Sequence, residues 1–303
     1  MLPPAPVRRT RAPRHQRSTG AHHRHASTAT GVLLGADGPF NHAPCSLLPY
    51  PLPATVFSHA LSLSQPFSVL VDRVSRDTEW LGRVVRTTVG HDPFTRHLLD
   101  IFDEVNTKGV AQPLQLNINR SDYMVDQPTA EATPRILQVE LNTVAASFAS
   151  LSTKMIELHR HTVTRLGATL DAASRAEILR TQPAVEGAFD AATAVEVERF
   201  LPTNGALANV AAALALSHQE YAKLVGGGDP SRKLAVVMIV TPSEANVIDQ
   251  RGIEAQLWKQ HRVPLIRASL ADVHARGRLG ERSRFFLGIA LGGEVEVSSC
   301  PCC

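Results

Sequence analysis

LAVVMIVTPSEANVIDQRGIEAQLWKQHRVPLIR, residues 234–267, decides the fold class. Leu234–Val240 is an unbroken apolar run of strand length, the pattern of a strand covered on both faces. Asn246–Gln260 then reads as a helix and Val263–Arg267 as a short second strand. The stretch is therefore a βαβ-like unit, and the class is mixed α/β. Further on, Phe285–Leu291 and Glu294–Ser298 flank Gly292-Gly293 and read as a hairpin.

Upstream, the turn GGGDP at 226–230 marks a boundary. Before it, Leu207, Val210, Leu214 and Tyr221 recur at helical spacing, and a long helix spans about Ser150 to Arg165. Leu114–Ile118 and Ile136–Leu141 read as strands. Asp92-Pro93 supplies an N-cap and a first-turn proline for a helix whose Phe94, Leu98, Ile101 and Val105 share one face. Phe67, Leu70, Val71 and Val74 mark a helix before it. Residues 1–40 mix Pro, Arg, His, Ser and Thr without periodicity, a composition that cannot bury enough apolar surface to fold. The expected organisation is an extension over 1–40, an α/β part over 41–231, a further domain over 232–297 and a cysteine-rich tail over 298–303.

Charge narrows the function classes. The 303 residues carry 31 basic and 28 acidic groups, with six arginines and no acid in residues 1–36, so the rest of the chain has a net charge of −3. An acid-free, Arg-rich start resembles an organelle transit peptide, or else an unstructured extension. Scattered basic residues and only 5% aromatics argue against a nucleic-acid groove. No apolar run approaches the roughly 18 residues of a membrane-spanning helix. The four cysteines match no zinc pairing, and so few in so long a chain fit a reducing compartment.

Three short segments can carry chemistry. Glu140 and Asn142, two apart on a strand, share a face and offer hard oxygen ligands for Mg²⁺ beside phosphates, although the same pair also suits a solvated face. Arg120, at a strand end in NRSDYM, can clamp a carboxylate or phosphate, or lie on a plain surface. Glu244-Ala245-Asn246 opens a helix with Gln250 one turn on. A strand-to-helix turn is where α/β folds take ligands, and Asn246 could equally cap the helix. The glycines at 226–228 lack the Gly-Lys-Ser/Thr ending of a P-loop, and His159 and His161 point apart on their helix.

In order, HAPCSLLPYPLP (42–53), LVDRVSRDTEWL (70–81), DPFTRHLLDI (92–101), NRSDYM (119–124), QVELNTVAASF (138–148) and EANVIDQRGIE (244–254) resemble the eukaryotic glutathione synthetase family. The resemblance implies an ATP-grasp-type fold with an inserted substrate-binding domain, a homodimer, and an ATP-dependent C–N ligase joining γ-glutamylcysteine to glycine through an acyl phosphate; the body of the chain suggests the cytosol. It places Glu140 and Asn142 at Mg²⁺ ligands (one or two ions per site), Glu140 also beside ATP, and Arg120 at the substrate arginine. Val144, Ala145, Ala146 and Ser147 fall in the substrate-lining stretch, and Glu244, Ala245, Asn246 and Gln250 in the turn that reads γ-glutamylcysteine. Such chemistry rests on positioning and charge neutralisation, so it implies no catalytic nucleophile.

Three departures stand out. Ala145 replaces a serine common in the family, Ala245 replaces an arginine, and after Glu294–Val297 the chain reads SSCPCC where the family continues into a V-V-Y-F-R-x-G-Y block. The family's Gly-rich phosphate loop and ATP-binding lysines belong to that further portion. The expectation is a truncated family member, inactive as written, with a non-catalytic fragment that dimerises or binds γ-glutamylcysteine weakly as the alternative. Exposed apolar surface is expected around Val236–Ile239 and Phe285–Leu291.

Overall fold

The computed structural model describes residues 31–35, 40–90, 92–226, 233–281, 284–289 and 293–299. The Arg-rich start, the turn at 227–230, Gly292 and the cysteines at 300, 302 and 303 lie outside them. The strands are β1 (Leu33–Leu34), β2 (Asn41–His42), β3 (Arg120–Asp126), β4 (Arg135–Asn142), β5 (Leu234–Ile239), β6 (Leu265–Ala268), β7 (Gly277–Leu279), β8 (Phe285–Gly288) and β9 (Glu294–Ser299). The early helices are α1 (Ala54–Ser62), α2 (Ser64–Arg76), α3 (Thr78–Arg86) and α4 (Pro93–Lys108). Then come α5 (Ala149–Thr169), α6 (Ala172–Thr181), α7 (Glu186–Asp190), α8 (Ala194–Phe200) and α9 (Ala206–Leu224). The last are α10 (Val247–His261) and α11 (Leu270–Arg276). The chain forms two compact units, each assembled from separated segments.

The first unit comprises Met1–Pro51, Ala149–Ala206 and Ala245–Ile248. Its core joins Val163 and Leu166 of α5 to Val185, Ala188, Phe189, Val197 and Leu201. The α5–α7 approach is backbone to backbone: a Cβ on Gly167 would sit 2.2 Å from the Phe189 carbonyl oxygen, so only glycine fits there. A smaller cluster sets Val32 against Leu158 and Met155. His159 is buried against Ser46 while His161 faces solvent, the opposed orientation their spacing predicts.

The second unit comprises Leu52–Phe148, Leu207–Glu244 and Asp249–Cys303. Its five-stranded sheet runs β6-β5-β9-β8-β7. The pairs β5–β6 and β5–β9 are parallel, whereas β8 is antiparallel to both β9 and β7. Helix α10 makes the crossover between β5 and β6, as the 234–267 pattern predicts. Ala235, Val236, Val237 and Met238 are all 0% exposed, which contradicts the expected exposure around Val236–Ile239. With β6 on one edge of β5 and β9 on the other, the run is fully paired and its side chains are covered. Leu287 in β8 is likewise wholly buried. Helix α9 reaches the sheet through Tyr221, whose hydroxyl donates to the buried Glu296 at 2.9 Å. His218 of α9 lies 2.8 Å from the Ser298 hydroxyl, and burial holds its pKa below the usual histidine range.

The rest of this unit is an arm of helices α1–α4 and the β3–β4 hairpin. Asp92 caps α4 as expected, its two carboxyl oxygens accepting from Phe94 N and Thr95 N at 3.1 and 3.2 Å. The apolar stripe of α4 faces outward, however: Phe94, Leu98, Ile101 and Val105 are exposed, and Leu99 is the buried residue. Leu114–Ile118 forms no strand. Its side chains alternate as a strand's do, but its backbone joins no ladder, and pairing begins two residues later at Arg120. Alternation reports which side is covered; a strand also needs a backbone partner.

Candidate functional site

The end of the β3–β4 hairpin gathers the first two sequence-predicted segments. Antiparallel register sets Arg120 opposite Asn142 and Asp122 opposite Glu140. The register slips between Asp122 and Tyr123, leaving Val139 as the extra residue of a bulge beside Glu140, a device that re-aims side chains at a sheet's end. Arg120 makes a two-pronged contact with Asp122, Nε to Oδ1 at 2.8 Å and Nη2 to Oδ2 at 3.0 Å. Asn142 donates from Nδ2 to Asp122 Oδ2 at 3.2 Å and to the Arg120 carbonyl at 3.4 Å. Its bonds thus use the amide nitrogen and leave Oδ1, the atom a hard cation takes.

Charges on this face support one another. Hydrogen bonding from Arg120 holds the Asp122 carboxyl below its usual range, and Asp122 with nearby Glu140 raises the Arg120 guanidinium. Glu140 itself is exposed. A carboxylate, an amide oxygen and a second carboxylate opposite form a donor set suited to Mg²⁺ shared with phosphates, because that ion keeps few protein ligands. Among the described residues no group of three or more His, Cys, Asp or Glu side chains could hold a metal alone.

The stretch Val144–Phe148 continues from the hairpin. Val144 and Ala145 are exposed and Ala146 and Ser147 half-buried. Ala145 and Phe148 adopt left-handed backbone, φ 54° and 74°, unusual for residues with a Cβ. The Ser147 carbonyl accepts from Arg120 Nη1 at 3.4 Å, and the guanidinium lies 5.7 Å from the centre of the Phe148 ring. Phe148 N donates to Asp249 Oδ2 at 2.7 Å.

The third segment divides between the units. Glu244 belongs to the second, half-buried; Ala245 and Asn246 belong to the first, where the Ala245 carbonyl accepts from Gly35 N at 2.8 Å. Gln250 is 3% exposed, its Oε1 accepting from Arg267 Nε at 3.1 Å. Asp122, Phe148, Asp249 and Arg267 escape sequence reading as site residues. Asp122 lies inside a quoted block and needed the hairpin register to acquire meaning. Asp249 stands 101 residues from its partner. In the first unit, a cavity of about 510 Å³ is lined by Arg160, His161, Arg165, Thr193 and neighbours, and none of the substrate-, ATP- or metal-site residues expected from sequence borders it. At the hairpin end Glu140 is exposed, while Arg120, Asp122 and Asn142 are half-buried.

Comparison with known proteins bears on this geometry. Residues 18–228 match the sequence profile of the eukaryotic glutathione synthase ATP binding domain, and residues 234–298 that of eukaryotic glutathione synthase. The glutathione synthetase of Xenopus laevis is 34% identical over 256 residues, 84% of this chain and 46% of that protein. The chloroplastic glutathione synthetase of Solanum lycopersicum is 32% identical, over 84% of this chain and 39% of that protein. The Homo sapiens glutathione synthetase is 30% identical, over 85% and 46% respectively. The chain thus spans about half the length of the curated relatives it matches. Among solved structures, a glutathione synthetase like-effector from Globodera pallida superposes with a TM-score of 0.69 at 17% identity, covering 96% of this chain and 58% of that one. At that identity the likeness speaks for the fold alone. Among the described residues no helix is long and apolar enough to cross a membrane.

Proposed function

Since the chain belongs to the eukaryotic glutathione synthase family, we propose that it serves the ATP-dependent joining of γ-glutamylcysteine to glycine, with the hairpin end as its charged face. The carrying observation is the Arg120–Asp122–Asn142 network with Glu140 opposite Asp122. In this reading Arg120 takes the substrate carboxylate, for which its planar fork is suited. The backbone and side chains of Val144, Ala145, Ala146 and Ser147 line the peptide. Glu244, Asn246 and Gln250 read the γ-glutamyl group, Glu244 through its ammonium, and Ala245 supplies backbone alone. Segment 232–297 then acts as the inserted substrate-binding domain.

Glu140 and Asn142 would hold Mg²⁺, and Glu140 would lie beside ATP. Bound there, Mg²⁺ would neutralise phosphate charge as the γ-phosphoryl passes to the cysteinyl carboxylate. Glycine's amine then displaces phosphate, and the chain's own task is to hold and orient the reactants. A homodimer in the cytosol is part of the same proposal. The Solanum lycopersicum relative's chloroplastic name and the acid-free residues 1–36 support an organelle address as the alternative.

MgATP titrated calorimetrically into the wild-type chain tests the metal-side assignment. We expect binding weakened about tenfold or more by Glu140→Gln, on the scale of one lost charge-assisted contact. Equal binding by wild type and Glu140→Gln would remove Glu140 from the site. Mass-spectrometric detection of glutathione, dependent on all three substrates, separates ligation from binding alone.

A further inference from the structure

The peptide unit between Ser147 and Phe148 is gripped at both ends. Its carbonyl accepts from Arg120 Nη1 at 3.4 Å, and its N–H donates to Asp249 Oδ2 at 2.7 Å. Asp249 is 2% exposed and sits in the first turn of α10, next to Gln250. Phe148 meanwhile holds φ 74°, a conformation a residue with a Cβ adopts only when its surroundings impose it. Turning this one peptide by half a turn would carry φ of Phe148 to about −106°, an ordinary extended value. The turned peptide would aim its N–H at the Arg120 guanidinium and its carbonyl at Asp249, a donor facing a donor and an acceptor facing an acceptor.

We infer that Asp249 is a positioning residue: it latches the Ser147–Phe148 peptide against its own backbone preference, and so fixes the shape of the Val144–Ser147 stretch. The latch also ties that stretch to α10, so the wall beside Arg120 and the first turn carrying Gln250 share one part-buried bond. It rests on the proposed function only for what the stretch binds; the latch itself is a property of the fold. Asp249→Asn keeps an oxygen acceptor of the same reach, whereas Asp249→Ala removes it.

Two readouts on the full chain keep the ideas separate. The first is hydrogen exchange at the Phe148 amide. Asp249→Ala should speed it about tenfold or more, and Asp249→Asn should stay near wild type, as expected for loss or retention of one hydrogen bond. Leu257→Ala, which loosens the core side of α10 elsewhere, should leave Phe148 protected. The second is calorimetric affinity for γ-glutamylcysteine, expected to fall with Asp249→Ala and to be rescued by Asp249→Asn. Phe148 exchange unchanged by Asp249→Ala, or speeded equally by Asp249→Asn or Leu257→Ala, overturns the latch. If Asp249→Ala does not fold, a crystal structure of the wild-type chain decides: positive φ at Phe148 with its N–H on Asp249 supports the latch, and negative φ overturns it. Protection that depends on Asp249 in a chain that ignores γ-glutamylcysteine would leave the latch standing and sink the substrate assignment instead.

Discussion

The five-stranded sheet and the α1–α4 arm belong to one unit, yet opposite kinds of interaction organise them. In the sheet, Ala235 to Met238, Leu287 and Ala268 are within 2% of complete burial, and the strands are held by packing on paired backbone. In the arm, α2 has no buried residue, and Met124, Leu137, Val139 and the α4 stripe lie outside. The arm's side chains instead make polar contacts at its surface: the Asp92 cap, Arg86 on Asp103, Arg135 on Asp126 at 2.8 Å and the Arg120–Asp122 fork. The candidate site sits at the polar end. Side chains committed to a core are unavailable to ligands, whereas part-exposed groups with polar partners can exchange those partners for a substrate.

Substitutions can break this contrast, and the largest effect belongs to the sheet. Leu287→Ala should cost about 2–5 kcal/mol in denaturant unfolding, the range for truncating a fully buried leucine. A cost below that of an exposed residue would mean that the sheet is not the packed element it is described as.

Acid sharpens the contrast next. Asp272 in the first turn of α11 is lowered to about 2, chiefly by the Ser269 hydroxyl, then by the Ser269 backbone and Arg276. A depressed carboxyl stabilises the fold above its ordinary value of 3.8, and that contribution is lost as pH falls through about 2. Thermal unfolding between those pH values should therefore be less steep in Asp272→Asn than in wild type. Identical slopes would contradict the capping box that Ser269 and Asp272 form.

The smallest change is expected on the arm. Ile101→Ala, at a side chain 59% exposed, should alter stability by no more than about 0.5 kcal/mol. A loss like that of Leu287→Ala would show that the α4 stripe is buried in solution.

The same contrast explains what the sequence makes legible. Leu234–Val240 announces its burial because a doubly covered strand is apolar throughout, and Asp92-Pro93 announces a helix start because capping is local. The α4 stripe has the right period, but periodicity names a face and not what that face meets. At the site, Glu140 and Asn142 share a face by alternation, and Arg120 lies near the start of a block that sequence can flag. Asp122 and Asp249 become meaningful only through partners set by a bulged register and by a contact 101 residues away. Neither leaves a trace in spacing along the chain.

The role of the hairpin end depends on whether it receives a substrate carboxylate. The most direct measurement is calorimetric titration of γ-glutamylcysteine into wild type and Arg120→Ala, with circular dichroism confirming equal folding. Binding by wild type that drops about tenfold or more in Arg120→Ala is the predicted result, on the scale of a lost two-pronged contact to a charged group. Equal affinity in the two proteins would contradict the assignment of this face.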